Sequence, residues 1–136
     1  MVAYAGKYKR TSADKYEDFL SKLGVGFMTR KAATASTPTM EISETAPGKW
    51  KIVTATTLSK TELNFEFGVA FDEKTPDGRE TSTTVTKEGD NTWITSQKNK
   101  KSGGKDVTVR RTFTDAGIDV EMICDDVVSK QFFTRE

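Results

Sequence analysis

From Pro38 onward the chain alternates apolar and polar positions in short runs separated by turn residues, the period-two rhythm of half-buried strands. Strand-like runs fall at 40–44, 50–57, 61–71, 80–87, 92–97, 106–114, 118–124 and 127–134. Between them stand Pro47-Gly48, Asp77-Gly78, Gly89-Asp90-Asn91, Ser102-Gly103-Gly104 and Asp115-Ala116-Gly117, all residues that favour turns. Such close, regular spacing predicts an up-and-down meander, folded as a sandwich or a barrel. Full closure of the sheet is expected, because it removes the edge strands that invite aggregation.

Helical spacing is confined to 16–36, after a first strand over 4–9. Ser12-Ala13-Asp14-Lys15 has the makeup of a helix start. Tyr16, Phe19, Leu20 and Leu23 recur at helical intervals, and Gly24 is a natural stop. A second helix is expected over 26–35, offering Phe27, Met28, Ala32 and Ala35 for packing before Pro38. Joined at Gly24-Val25-Gly26, the two make a helix-turn-helix by shape, suited to cap one end of the sheet.

Composition narrows the function. A chain of 136 residues is one domain, 1–136. With 21 Lys plus Arg against 20 Asp plus Glu, no net field draws nucleic acid, which argues against a small nucleic-acid-binding barrel. The absence of histidine removes the commonest general base and metal ligand at neutral pH. The one cysteine, Cys124, allows neither an internal disulfide nor a paired-thiol metal site. An enzyme would have to work with carboxylates, Lys, Tyr or Cys124, and no phosphate-binding Gly loop is present. No catalytic residue, cofactor or metal is expected. Residues 1–7 lack the apolar run of a signal peptide, and no stretch approaches the ~20 apolar residues of a membrane-spanning helix, so a cytoplasmic location is expected. The lysine-rich 98–105 falls where a hairpin loop belongs and reads as a solvated loop or as a partner surface.

The run 106–114 carries the clearest chemistry. Alternation puts Val107, Val109, Arg111 and Phe113 on one face. An arginine on an apolar face needs a carboxylate, several acceptors or water. It is therefore a structural ion pair, a strand end open to solvent, or an anchor for the anionic head of an apolar ligand. On 92–97, Trp93, Thr95 and Gln97 share a face that turns from apolar to polar. Ile118, Val120, Met122 and Cys124 offer a face for a hydrocarbon chain. On the last run Val127, Ser129, Gln131 and Phe133 alternate with Val128, Lys130 and Phe132; both faces are mixed, so pattern leaves the inward one open.

Several ordered stretches together resemble the fatty-acid-binding family of intracellular lipid-binding proteins. They are Tyr16-Glu17-Asp18-Phe19-Leu20, Leu23-Gly24-Val25-Gly26-Phe27-Met28-Thr29-Arg30, Thr57-Leu58-Ser59-Lys60-Thr61-Glu62, Phe65-Glu66-Phe67-Gly68-Val69-Ala70-Phe71-Asp72-Glu73, Thr75-Pro76-Asp77-Gly78-Arg79 and Val109-Arg110-Arg111. The resemblance spans essentially the whole chain and is greatest to invertebrate members, including those of mites. It implies an all-β fold, a ten-stranded antiparallel up-and-down barrel with a helix-turn-helix lid. It implies a non-catalytic monomeric carrier of a long-chain fatty acid, with a retinoid or another neutral hydrophobic ligand as the alternative.

In many members of this family an arginine matching Arg111 and an Arg-x-Tyr pair on the last strand hold the carboxylate. Here the pair is replaced by Gln131 and Phe133, so one cation and one phenol are missing. The resemblance places Tyr16, Met28, Leu58 and the loop 75–79, with Asp77, at the portal. Trp93 and Gln97 complete the expected ligand-binding set. Lys22, Arg30 and Lys31 give the lid either a basic face for transient contact with anionic membranes or an ordinary solvated face.

Overall fold

The computed structural model describes residues 3–57 and 59–136, so the expected portal residue Leu58 lies outside the described residues. Among the described residues the elements run β1 (Gly6–Asp14), α1 (Tyr16–Leu23), α2 (Phe27–Ala35), β2 (Thr39–Ala46), β3 (Lys49–Ala55), β4 (Lys60–Phe65), β5 (Phe71–Lys74), β6 (Glu80–Glu88), β7 (Thr92–Asn99), β8 (Val107–Phe113), β9 (Gly117–Cys124) and β10 (Val127–Arg135). Every neighbouring strand pair is antiparallel, in the order β4-β3-β2-β1-β10-β9-β8-β7-β6-β5. The first and last strands pair, from Tyr8 opposite Arg135 to Asp14 opposite Lys130, and so bring the chain round on itself. The result is the expected ten-stranded barrel with a helical lid.

Closure is incomplete. Among the described residues no ladder joins β4 to β5, and a cleft of about 490 Å3 lies between them, lined by Leu63, Asn64, Phe71 and Glu73. The cause lies in the run 61–71, read above as one strand. It breaks into β4 and β5 at a turn where Gly68 takes φ 78°, and the Gly68 N–H turns aside to donate to Val85 O at 2.8 Å.

The lid forms largely as its sequence dictates. Gly24 ends α1 with φ 90°, its N–H donating back into the helix, as a glycine stop should. Phe19 and Leu20 are buried beneath α1. The strand before it corrects one expectation: Ser12 to Asp14 continue β1, and the helix begins only after Lys15, itself at φ 59°. Packing of α2 differs too. None of its residues is buried; Ala33 packs on the core, while Phe27 and Met28, expected to pack, are 59% and 80% exposed. No helix among the described residues is long and apolar enough to cross a membrane.

The inward side chains divide into an aromatic zone and a polar one. The end away from the lid is aromatic: Trp93 lies with its ring centroid 4.8 Å from Phe113, 5.0 Å from Tyr4 and 5.2 Å from both Trp50 and Phe67. Such tilted and edge-on pairs each add about 0.5–1.5 kcal/mol beyond the area they bury. Toward the lid the inward residues become polar: Thr81, Thr83, Thr95, Gln97, Ser129 and Gln131 are all buried. Lys22 of α1 reaches Asp126 in the β9–β10 turn at 3.2 Å and ties the lid to that end.

This construction predicts uneven mobility. Amide hydrogen exchange in the empty protein should be fast in α2 and along the β4 and β5 edges, and slow in β8 and β9. Ligand should then protect the lid and the β5–β6 turn more than the β6–β7 turn at the far end. Equal protection throughout the barrel would rule out a gate on the lid side.

Candidate functional site

Strand register puts the polar interior in order. Trp93 pairs with Arg111, Arg111 with Val120, and Val120 with Gln131, so these four occupy one row across β7, β8, β9 and β10. Arg111 and Gln131 are thus two strand spacings apart, about 10 Å between backbones. On β8 the expected alternation holds, with Val107, Val109, Arg111 and Phe113 buried. On β10 the pairing with β9 fixes what pattern left open: Ser129, Gln131 and Phe133 face inward.

Arg111 is 7% exposed. Its Nη1 donates to Thr95 Oγ1 at 3.1 Å, and its Nε meets no acceptor among the described residues. No carboxylate of the described residues forms an ion pair with it. Burial pushes its pKa down to about 10, partly opposed by the charge of Glu73. At neutral pH it therefore stays a cation. Of the three readings its sequence allowed, neither the ion pair nor the solvent-exposed strand end describes this environment. A buried charge lacking a counter-ion is costly, and an anion entering the barrel would relieve that cost.

Nearby amides and hydroxyls are only lightly engaged. Gln131 Nε2 reaches Met122 Sδ at 3.6 Å and Ser129 Oγ at 3.5 Å, both at the weak end of hydrogen bonding. Ile118, Val120 and Cys124 are buried along β9, with Met122 partly so, and supply an apolar wall. Phe133 is buried beside them.

A second polar group links the interior to the lid side. Arg79 donates from Nε to Asp77 Oδ2 at 2.6 Å and from Nη2 to Gln97 Oε1 at 3.0 Å. Gln97 Nε2 and Thr83 Oγ1 both donate to Glu73 Oε1, at 3.1 and 2.8 Å. Burial acts to raise the Asp77 pKa, but hydrogen bonds from Arg79 and Thr75 and the Arg79 charge outweigh it and leave the carboxyl below its ordinary value. A cleft of about 660 Å3 opens beside this group, between the α1–α2 turn at Leu23 and Val25, the Asp77–Arg79 turn and the loop at Lys101 and Lys105.

The structure therefore gathers Arg111, Gln131, Phe133, Trp93 and Gln97 inside the barrel, with Asp77 at the cleft. Tyr16 is half-buried on α1, its ring 5.1 Å beneath the Arg10 guanidinium, and burial raises its pKa. Met28 stands apart from this set on the solvent side of α2. Sequence reading gave no role to Glu73 or Thr83. Thr81, Thr83 and Val85 do alternate on β6, a signal that was available; Glu73 was obscured by the missed break at Gly68.

A family model described as the lipocalin / cytosolic fatty-acid binding protein family matches residues 5–136. A fatty acid-binding protein of Tyrophagus putrescentiae is 38% identical over 136 residues, covering 100% of both chains. Cellular retinoic acid-binding protein 2 of Rattus norvegicus is 34% identical over 139 residues, again covering 100% of each. The solved Schistosoma mansoni fatty acid binding protein in complex with arachidonic acid superposes with a TM-score of 0.91 at 26% identity, covering 98% of this chain and 96% of that one.

The row geometry makes one prediction about the empty protein. Gln131→Arg would place a second cation in the row of Arg111, where low dielectric strengthens repulsion. The thermal midpoint should fall by about 3 °C or more, the scale of roughly 1 kcal/mol for a chain of this size. An unchanged midpoint would mean that the position does not feel Arg111.

Proposed function

Because the chain belongs to the lipocalin / cytosolic fatty-acid binding protein family, we propose that it carries a long-chain fatty acid inside its barrel, as a cytoplasmic monomer and without catalysing a reaction. The observation that carries this reading is the buried Arg111 cation, which has no carboxylate partner among the described residues and stands against an apolar wall. A carboxylate head would neutralise it, while each buried methylene of the tail contributes about 0.8 kcal/mol. Hydrogen bonds to the charged head add about 1.5–3 kcal/mol. The tail thus supplies most of the affinity and the arginine the preference for an acid. A retinoid acid is the second reading, supported by the retinoic acid-binding relative, since the same cation suits its carboxylate.

Two features support carriage over catalysis. The chain has no histidine. The Cys124 thiol is buried and burial pushes its pKa up, which keeps it protonated and a poor nucleophile. The lid supports a transient membrane contact. Phe27 and Met28 are exposed on α2, and Arg30 lies over the Phe27 ring at 5.7 Å. Lys22 and Lys31 are already held by Asp126 and Glu17, so the apolar pair leads this contact and the basic face assists it.

Arg111→Ala tests the head-group role. Palmitate affinity should fall about tenfold or more, the equivalent of one lost charged hydrogen bond, while hexadecanol affinity changes little. Calorimetric titration of both ligands, with circular dichroism to confirm the barrel, measures this. Equal losses for acid and alcohol in a folded variant would sink the carboxylate anchor.

A further inference from the structure

Among the described residues three buried side-chain nitrogens lack any hydrogen-bond partner: Arg30 Nε, Trp93 Nε1 and Arg111 Nε. The last two belong to residues directly opposite each other on β7 and β8. Both side chains are inward and buried, Trp93 completely. Directly opposed residues hold their Cβ atoms about 4.5–5.5 Å apart, so both unsatisfied donors belong to side chains that start from neighbouring points of the interior wall.

The protein offers them little. The indole is enclosed by the rings of Tyr4, Trp50, Phe65, Phe67 and Phe113, none of which places an acceptor on it. An indole N–H and a guanidinium are donors only, so neither can satisfy the other. A buried donor normally finds an acceptor, and one external group with several acceptor positions is able to serve both of these. A carboxylate has two oxygens and about four acceptor positions, enough for both donors at once.

We infer that the Trp93 indole N–H is a second donor to the carboxylate of the bound acid, acting beside the Arg111 guanidinium. This inference rests on the carrier reading above and adds a specificity-determining residue to it. It also accounts for how the site works with Gln131 and Phe133 on β10, where neither residue supplies a cation or a phenol. The indole supplies a neutral donor instead. It strengthens the hold on an anion without a second buried positive charge in the empty barrel. Selectivity follows from the same chemistry: a charged acceptor bonds both groups more strongly than an alcohol oxygen does.

The test uses the wild-type chain labelled with 15N and read by the two indole N–H signals, those of Trp50 and Trp93. Trp50→Phe and Trp93→Phe assign them, and either variant alone suffices if the other does not fold. Saturating palmitate should move the Trp93 indole proton clearly downfield, and hexadecanol should move it much less. Trp93→Phe, which keeps an aromatic ring and removes the N–H, should lose palmitate affinity by about tenfold, with a smaller loss for hexadecanol. An indole signal that responds equally to acid and alcohol, or stays in place while backbone amides report palmitate binding, would overturn the inference but leave the carrier reading standing. Backbone amides that do not respond to palmitate at all would overturn both.

Discussion

A guanidinium enclosed in a barrel with one threonine hydroxyl for company sets the terms for the rest of this molecule. Arg111 remains charged at neutral pH despite a pKa lowered to about 10, so its burial carries an electrostatic cost. The surrounding structure distributes that cost without cancelling it. Thr95 takes one N–H, and Glu73 acts through its charge without forming an ion pair. A barrel built for stability alone would have placed an apolar side chain there, since replacing a buried charge with well-packed hydrophobic residues is often neutral or favourable. The fold tolerates the arginine because ten strands of backbone ladder and an aromatic end hold the frame independently of it.

That division of labour explains the layout of the interior. Aromatic residues from β3, β7 and β8 meet Tyr4, Phe65 of β4 meets Trp93, and together they fix the end remote from the lid. Threonine, glutamine and glutamate occupy the end nearer the lid. There the Asp77–Arg79 pair is held with both side chains largely buried, and Arg79 bonds onward to Gln97. Within the lid, α1 is anchored by buried Phe19 and Leu20, whereas α2 buries no residue, so displacing α2 costs less than opening any strand pair would.

Much of this was legible in the sequence, and the reasons for the exceptions are physical. β8 was readable because its alternation is clean and one residue breaks the chemistry of its face. β10 was not, because Val128 and Phe132 make its outward face as apolar as its inward one; only the ladder to β9 decides between them. The split of 61–71 into β4 and β5 hinges on Gly68, whose φ of 78° breaks the strand in a run otherwise rich in strand formers. Phe27 and Met28 have the hydrophobicity of core residues, yet a helix at the rim of a barrel has solvent on most of its sides. Glu73 became visible only when β6 and β7 brought Thr83 and Gln97 to it, a contact between strands that no single run of sequence encodes.

The central claim is that Arg111 is built for a carboxylate, and the ionisation of a bound acid reads this directly. Palmitate labelled with 13C at its carboxyl carbon reports its own charge through its chemical shift. An adjacent guanidinium favours the ionised form and lowers a carboxyl pKa by about 1–3 units, from an ordinary value of about 4.3. The bound carboxyl signal should therefore stay at its ionised position as pH falls through 4, for as long as the barrel remains folded. A carboxyl that protonates at or above the ordinary value while bound would show a head group buried away from Arg111, and would contradict the account.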